Sequence, residues 1–284
     1  MRWQTYIFMT LFLTSCMDFR FTPKEMEDFL TFHKERLKSD TMIVNGQNIH
    51  YVYSNQDHDV LVVFIHGSPG SWNAFSGYLT TDSLLSNYDM ISIDRPGFGY
   101  SDYGLAEPSI KNQALLMSEV LKNFSQRKKI LVGHSLGGPL IARMAMDNPE
   151  LVQGLLFLAP SIDPDMEKFE WYRALIKTWL GDLVVPTDFW VSNEEIVPLR
   201  AELEKMVPLW AEISVPCIVI HGTKDTFVPV ENADFAKKMI ADSLVTVNYL
   251  EGVHHFIPWT HASVIVDAIN ELVKKPGFNP VDHD

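Results

Sequence analysis

The apolar run Lys129-Ile130-Leu131-Val132 leads directly into Gly133-His134-Ser135-Leu136-Gly137, so a serine stands where a buried strand must turn sharply into a helix. Such an elbow forces Ser135 into a strained backbone conformation, and the crowding leaves no room for a side chain on either flanking glycine. The hydroxyl is pushed out beyond the strand end. Ser135 is therefore a candidate nucleophile, and a chain that carries it must supply a covered sheet beneath it.

The rest of the sequence supplies that sheet. Runs at Ile49 to Tyr53, Val60 to Ile65, Met90 to Ile93, Ile130 to Val132, Leu155 to Leu158, Cys217 to Ile220 and Val245 to Tyr249 read as strands. Helical periodicity falls between them, near Ile110 to Phe124, Leu136 to Asp147, Asn232 to Ile240 and Ala262 to Val273. Near-continuous apolar strands alternating with helices specify an α/β fold with a mostly parallel sheet covered on both faces. Between about residues 161 and 212 the alternation breaks into a proline-interrupted stretch rich in aromatics, Trp171, Tyr172, Trp179, Phe189, Trp190 and Trp210. It reads as a helical cap inserted into a domain spanning 41–284. Its aromatics either line an apolar pocket or form the cap's own core.

At 284 residues and 46% hydrophobic composition the chain can bury a full core as one domain. Its 23 basic against 36 acidic residues give a net charge of -13, which repels phosphate backbones and argues against nucleic acid as a partner. Cys217 lies within an apolar strand and reads as an inert buried thiol; no disulfide, metal site or cofactor is expected.

Residues 1–15 read as a secretory signal: Arg2, then the apolar stretch Tyr6 to Leu13, then small polar residues. The stretch falls short of the roughly 18 residues that span a bilayer. Leu13-Thr14-Ser15-Cys16 resembles a bacterial lipobox, which implies cleavage before Cys16, its acylation and a lipid anchor in the cell envelope. Residues 16–40 then form a tether and a helix, begun by the cap Thr22-Pro23-Lys24-Glu25 and running to about Lys38.

Further motifs join the elbow: His66-Gly67-Ser68-Pro69-Gly70, Asp94-Arg95-Pro96-Gly97-Phe98-Gly99-Tyr100-Ser101, His221-Gly222-Thr223-Lys224-Asp225 and Gly252-Val253-His254-His255-Phe256. In this order they resemble the α/β-hydrolase superfamily, from Ile43 to Val273. The resemblance implies the α/β-hydrolase fold and a triad of Ser135, Asp225 and His255, each just past a strand end. His255 would take the serine proton and Asp225 would hold the imidazole's other N–H. Backbone N–H groups of Ser68 and Leu136 would receive the oxyanion.

Several alternatives stay open in the sequence. Spacing alone lets either His254 or His255 reach the serine, and the family pattern Gly-x-x-His-x-x-Pro favours His255. Asp163 and Asp165 follow another strand and are alternative acids. His66 and Asp94 read as structural, the first packed beneath its loop and the second organising a turn. A serine at the elbow argues against the branches built on an aspartate nucleophile. Esters of small apolar or aromatic acids are the expected substrates, with carbon–carbon bond hydrolysis and proline iminopeptidase-like activity as alternatives. A silent binding protein on the same scaffold is the reading from another class.

Overall fold

The structure, a computed structural model, describes residues 19–124, 128–168, 171, 173–176 and 184–278. The signal segment 1–15, Cys16, Tyr172 and Trp179 lie outside the described residues. Among those described, no helix is long and apolar enough to cross a membrane.

Eight strands form one sheet: β1 (Leu37–Val44), β2 (Gln47–Ser54), β3 (Val60–Ile65), β4 (Asp89–Ile93), β5 (Lys128–His134), β6 (Gly154–Leu158), β7 (Cys217–Gly222) and β8 (Val245–Leu250). Their order is β1-β2-β4-β3-β5-β6-β7-β8. β2 pairs antiparallel with β1 and β4; every other pairing is parallel. The mostly parallel sheet follows from residue choice. In β3 every residue is buried, with Leu61, Val63 and Ile65 in one core and Val62 and Phe64 in the other. A period of two that is apolar on both faces is stable only with helices on both sides.

Helix α1 (Pro23–Phe32) and α7 (Ala262–Leu272) cover one face, with α2 (Ile110–Lys122), α3 (Gly137–Asp147) and α6 (Glu231–Met239) on the other. On the α1 side Phe64 stacks on Phe75 with centroids 4.9 Å apart. Between β6 and β7 the described chain is helical, with α4 (Thr187–Ile196) and α5 (Leu199–Met206) its longest pieces.

One boundary departs from the expectation. α1 has its capping box, with Thr22 N–H donating to Glu25 Oε2 at 2.8 Å, but it ends at Phe32 rather than near Lys38. The chain turns at His33, whose carbonyl accepts the Leu37 N–H, and residues from Leu37 onward pair along β2. β1 is an edge strand whose Lys38-Ser39-Asp40-Thr41 stretch is exposed, so it carries no apolar alternation to reveal it.

Candidate active site

Four strand ends deliver the site to one edge of the sheet. At the end of β5 Ser135 has φ +54°, the left-handed region that costs a non-glycine residue about 1–3 kcal/mol. Its neighbours must be glycine. A Cβ on Gly133 would lie 2.4 Å from the Gly137 carbonyl oxygen, and one on Gly137 would lie 2.3 Å from the Ile65 carbonyl oxygen. Ser135 itself is half-buried and lines a cavity of about 1190 Å³.

Asp225 follows β7 and His255 follows β8. The His255 Nδ1–H donates to Asp225 Oδ2 at 2.6 Å, which leaves Nε2 as the imidazole's free lone pair. The other carboxylate oxygen of Asp225 accepts backbone N–H groups of Phe227 and Val228, both at 2.9 Å. Burial alone would raise this carboxyl. Hydrogen bonds from His221, His255 and Val228 outweigh it and hold the group well below the usual carboxylate range. His255 is buried and lines the cavity with Ser135, whereas His254 is exposed and does not line it. The other acids are engaged elsewhere: Asp163 accepts the Asp165 N–H at 2.9 Å, and Asp165 faces Arg200 at 3.4 Å.

The loop after β3 lies against the elbow, so closely that a Cβ on Gly67 would stand 3.0 Å from the Ser135 Cβ. Ser68 and Leu136 both line the cavity beside Ser135. His66 accepts the Arg95 N–H on Nε2 at 3.1 Å and donates from Nδ1 to the Gly67 carbonyl at 2.7 Å. Burial, then the charge of Arg95, push its pKa far down, so it is a neutral strut beneath the loop. Asp94 organises its turn by accepting N–H groups of Trp72 at 2.7 Å and Tyr100 at 2.9 Å, with His50 Nδ1 at 2.7 Å.

A family profile described as alpha/beta hydrolase fold matches residues 60–184. The uncharacterized hydrolase YugF of Bacillus subtilis (strain 168) is 26% identical over 81% of this chain and 96% of its own length. The mitochondrial palmitoyl-protein thioesterase ABHD10 of Mus musculus is 25% identical over 75% of each chain. Among solved structures, the epoxide hydrolase CorEH superposes with a TM-score of 0.67 at 19% identity, covering 84% of this chain and 98% of that one. The chain has the α/β-hydrolase fold.

Within this α/β-hydrolase fold, three side chains that the sequence reading did not single out hold the loop in place. Arg95 is fully buried and grips Glu195 of α4 with both ends of its guanidinium, Nη1 to Oε1 at 2.7 Å and Nη2 to Oε2 at 3.1 Å. Arg95 Nη2 also donates to the Gly67 carbonyl at 3.0 Å. Gln113 of α2 donates to Glu195 Oε1 at 2.8 Å and accepts from Arg95 Nη1 at 3.0 Å. The peptide unit is planar, so pinning the Gly67 carbonyl also fixes the direction of the Ser68 N–H. Ser68 does more than line the pocket, since its hydroxyl donates to Glu195 Oε2 at 2.9 Å. The signal for Arg95 was its charge within a buried turn motif; Glu195 gave none, because a lone acid on a helix reads as surface.

His134, the residue before Ser135, was likewise unremarked. It is buried, its ring centroid lies 4.7 Å from that of His255, and its Nε2–H donates to the His255 carbonyl at 3.2 Å. Burial, then the nearby His255, lower its pKa to about 3, so it stays neutral.

Among the described residues, the insertion's aromatics divide differently from either expectation. Phe189 lines the cavity, Trp210 packs on Phe157 and Phe235 within the main core, and Trp171 is exposed. Among the described residues, most of the cavity's aromatic lining comes from outside the insertion: Phe19, Phe227, Phe256 and Trp259.

Proposed function

We propose that the chain is a serine hydrolase that cleaves carboxylic esters with apolar acyl groups. The observation that carries this reading is the charge-assisted 2.6 Å hydrogen bond from His255 to a buried, ionised Asp225, in the cavity that Ser135 lines. Its lining supports an apolar acyl group through Ile176, Ile196, Leu199, Phe227 and Val228.

In the first step the Ser135 Oγ attacks the ester carbonyl carbon while His255 Nε2 accepts the hydroxyl proton. The carbonyl electrons move onto oxygen, and the N–H groups of Ser68 and Leu136 receive that oxyanion. As the carbonyl re-forms, the C–O bond to the alcohol breaks and His255 returns the proton to the leaving alkoxide. Water then repeats the sequence on the acyl-serine, releasing the acid. Asp225 remains ionised throughout and stabilises the imidazolium at each stage. A hydroxyl at position 135 supports acyl transfer rather than the epoxide opening named for CorEH.

The same reading includes a lipid anchor: Cys16, acylated after removal of residues 1–15, attaches the enzyme to a membrane of a bacterial envelope. Incorporation of labelled palmitate into wild type and its loss in Cys16→Ala test the anchor. For the chemistry, p-nitrophenyl butyrate is compared with a prolyl amide and a vinylogous diketone. Turnover of the ester, abolished in Ser135→Ala, is expected; turnover of the amide or diketone alone would overturn the ester assignment.

A further inference from the structure

Phe19 is only three residues beyond Cys16, and it is fixed to the catalytic body. Its ring meets Phe189 of α4 edge-on at 5.4 Å, its carbonyl accepts the Ser71 hydroxyl at 2.9 Å, and its side chain lines the cavity. The following residues are fixed as well. Arg20 donates from Nη1 to the Gly99 carbonyl at 2.9 Å and stacks over Tyr103 at 3.6 Å, and Tyr100 donates to the Phe21 carbonyl at 2.9 Å. Three residues span at most about 11 Å, whatever conformation they take. An acylated Cys16 therefore holds one wall of the cavity within about 11 Å of the lipid surface.

A second observation is independent of the anchor. Phe227, Phe256 and Trp259 line the cavity yet are 69%, 50% and 52% exposed, which places them on its rim. They form one patch, Phe227 to Phe256 at 5.6 Å and Phe256 to Trp259 at 5.9 Å between centroids. Exposed aromatic rings around a cavity mouth suit the boundary between headgroups and acyl chains. With a net charge of -13 the chain gains nothing from anionic lipid, so the contact is apolar. A cavity of about 1190 Å³ exceeds the roughly 300–1,000 Å³ of ordinary small-ligand sites, leaving room for a long acyl chain.

We propose that the chain works with this aromatic rim seated on the bilayer and takes its substrate from it, a long-chain carboxylic ester resident in the membrane. The inference rests on the serine hydrolase reading and on the Cys16 anchor. It adds which face meets the lipid and where the ester comes from.

The test uses acylated full-length protein in phosphatidylcholine vesicles containing 4-methylumbelliferyl oleate, with p-nitrophenyl butyrate as the soluble control. A Gly/Ser insert of about 20 residues between Cys16 and Met17, with a mean span of about 25 Å, lets the rim leave the surface while touching no residue of the site. Oleate hydrolysis is expected to fall about tenfold, the scale of a lost local concentration, with butyrate turnover unchanged. An unchanged oleate-to-butyrate ratio would overturn the proposal. Brominated phosphatidylcholine should quench wild-type fluorescence more than that of Trp259→Phe; equal quenching would also overturn it. Wild type that takes up no palmitate removes the anchor and this proposal with it, while fluorophosphonate labelling of Ser135 leaves the hydrolase reading standing. Conversely, an unlabelled Ser135 with Trp259 still quenched sinks the hydrolase reading and keeps the bilayer seat.

Discussion

At Ser135 the backbone is bent into a left-handed conformation and the two arms of the chain nearly touch, so the hydroxyl's position depends on what its neighbours lack. Gly67→Ala would place a methyl 3.0 Å from the Ser135 Cβ and displace the loop that presents the Ser68 N–H. Its kcat on p-nitrophenyl butyrate is expected to drop about 10²–10³-fold with KM little changed, the loss seen when one oxyanion donor is removed. For the two adjacent histidines, His255→Ala should lower kcat by about 10⁴-fold or more, and His254→Ala by less than about threefold. Equal losses would reject His255 as the base. The motifs and their glycines were legible because each sits on a strand–loop junction that sequence pattern marks. Spacing alone left His254 and His255 both open, and only the Gly-x-x-His-x-x-Pro pattern, with Gly252 and Pro258, favoured His255.

Among elements, α4 has an influence on the site that its sequence conceals. Through Glu195 it closes a buried network with Arg95, Gln113 and Ser68, and that network ends on the Gly67 carbonyl. Glu195→Ala would strand a fully buried guanidinium and is expected to destabilise the fold by about 3–5 kcal/mol in urea unfolding. Replacing both partners, Arg95→Met with Glu195→Leu, should restore most of that stability. It should nevertheless leave kcat about 10–100-fold low, because His66 alone would then pin the Gly67 carbonyl. Full recovery of both would show that the ion pair serves folding only. Such long-range pairing, 100 residues apart in sequence, leaves no periodic trace. The central strands were legible because burial on both faces makes them continuously apolar. β1 escaped notice because an exposed edge may be polar.

Over the whole molecule, two covered sheet faces bury imidazoles that cannot accept protons where they stand. Burial first, with Arg95 beside His66 and His255 beside His134, lowers both pKa values from the ordinary 6.5. Above pH 6.5 these groups are neutral in both folded and unfolded chains, so the stability is fully present. As pH falls, only the unfolded chain takes up the protons, and stability is lost by about 1.4 kcal/mol per pH unit for each group. For His134 the loss continues to pH about 3. Urea unfolding should therefore give a stability about 3 kcal/mol lower at pH 5 than at pH 6.5, with the slope reduced by about half in His134→Gln. A flat profile would mean that the two rings are protonated in the fold.

All of these effects converge on one hydroxyl. A fluorophosphonate probe, mapped by mass spectrometry on the folded full-length protein, asks directly whether that hydroxyl is a nucleophile. Modification of Ser135, absent in Ser135→Ala and strongly slowed in His255→Ala, is the predicted result. A folded protein that stays unlabelled, or is labelled at another serine, would contradict the assignment.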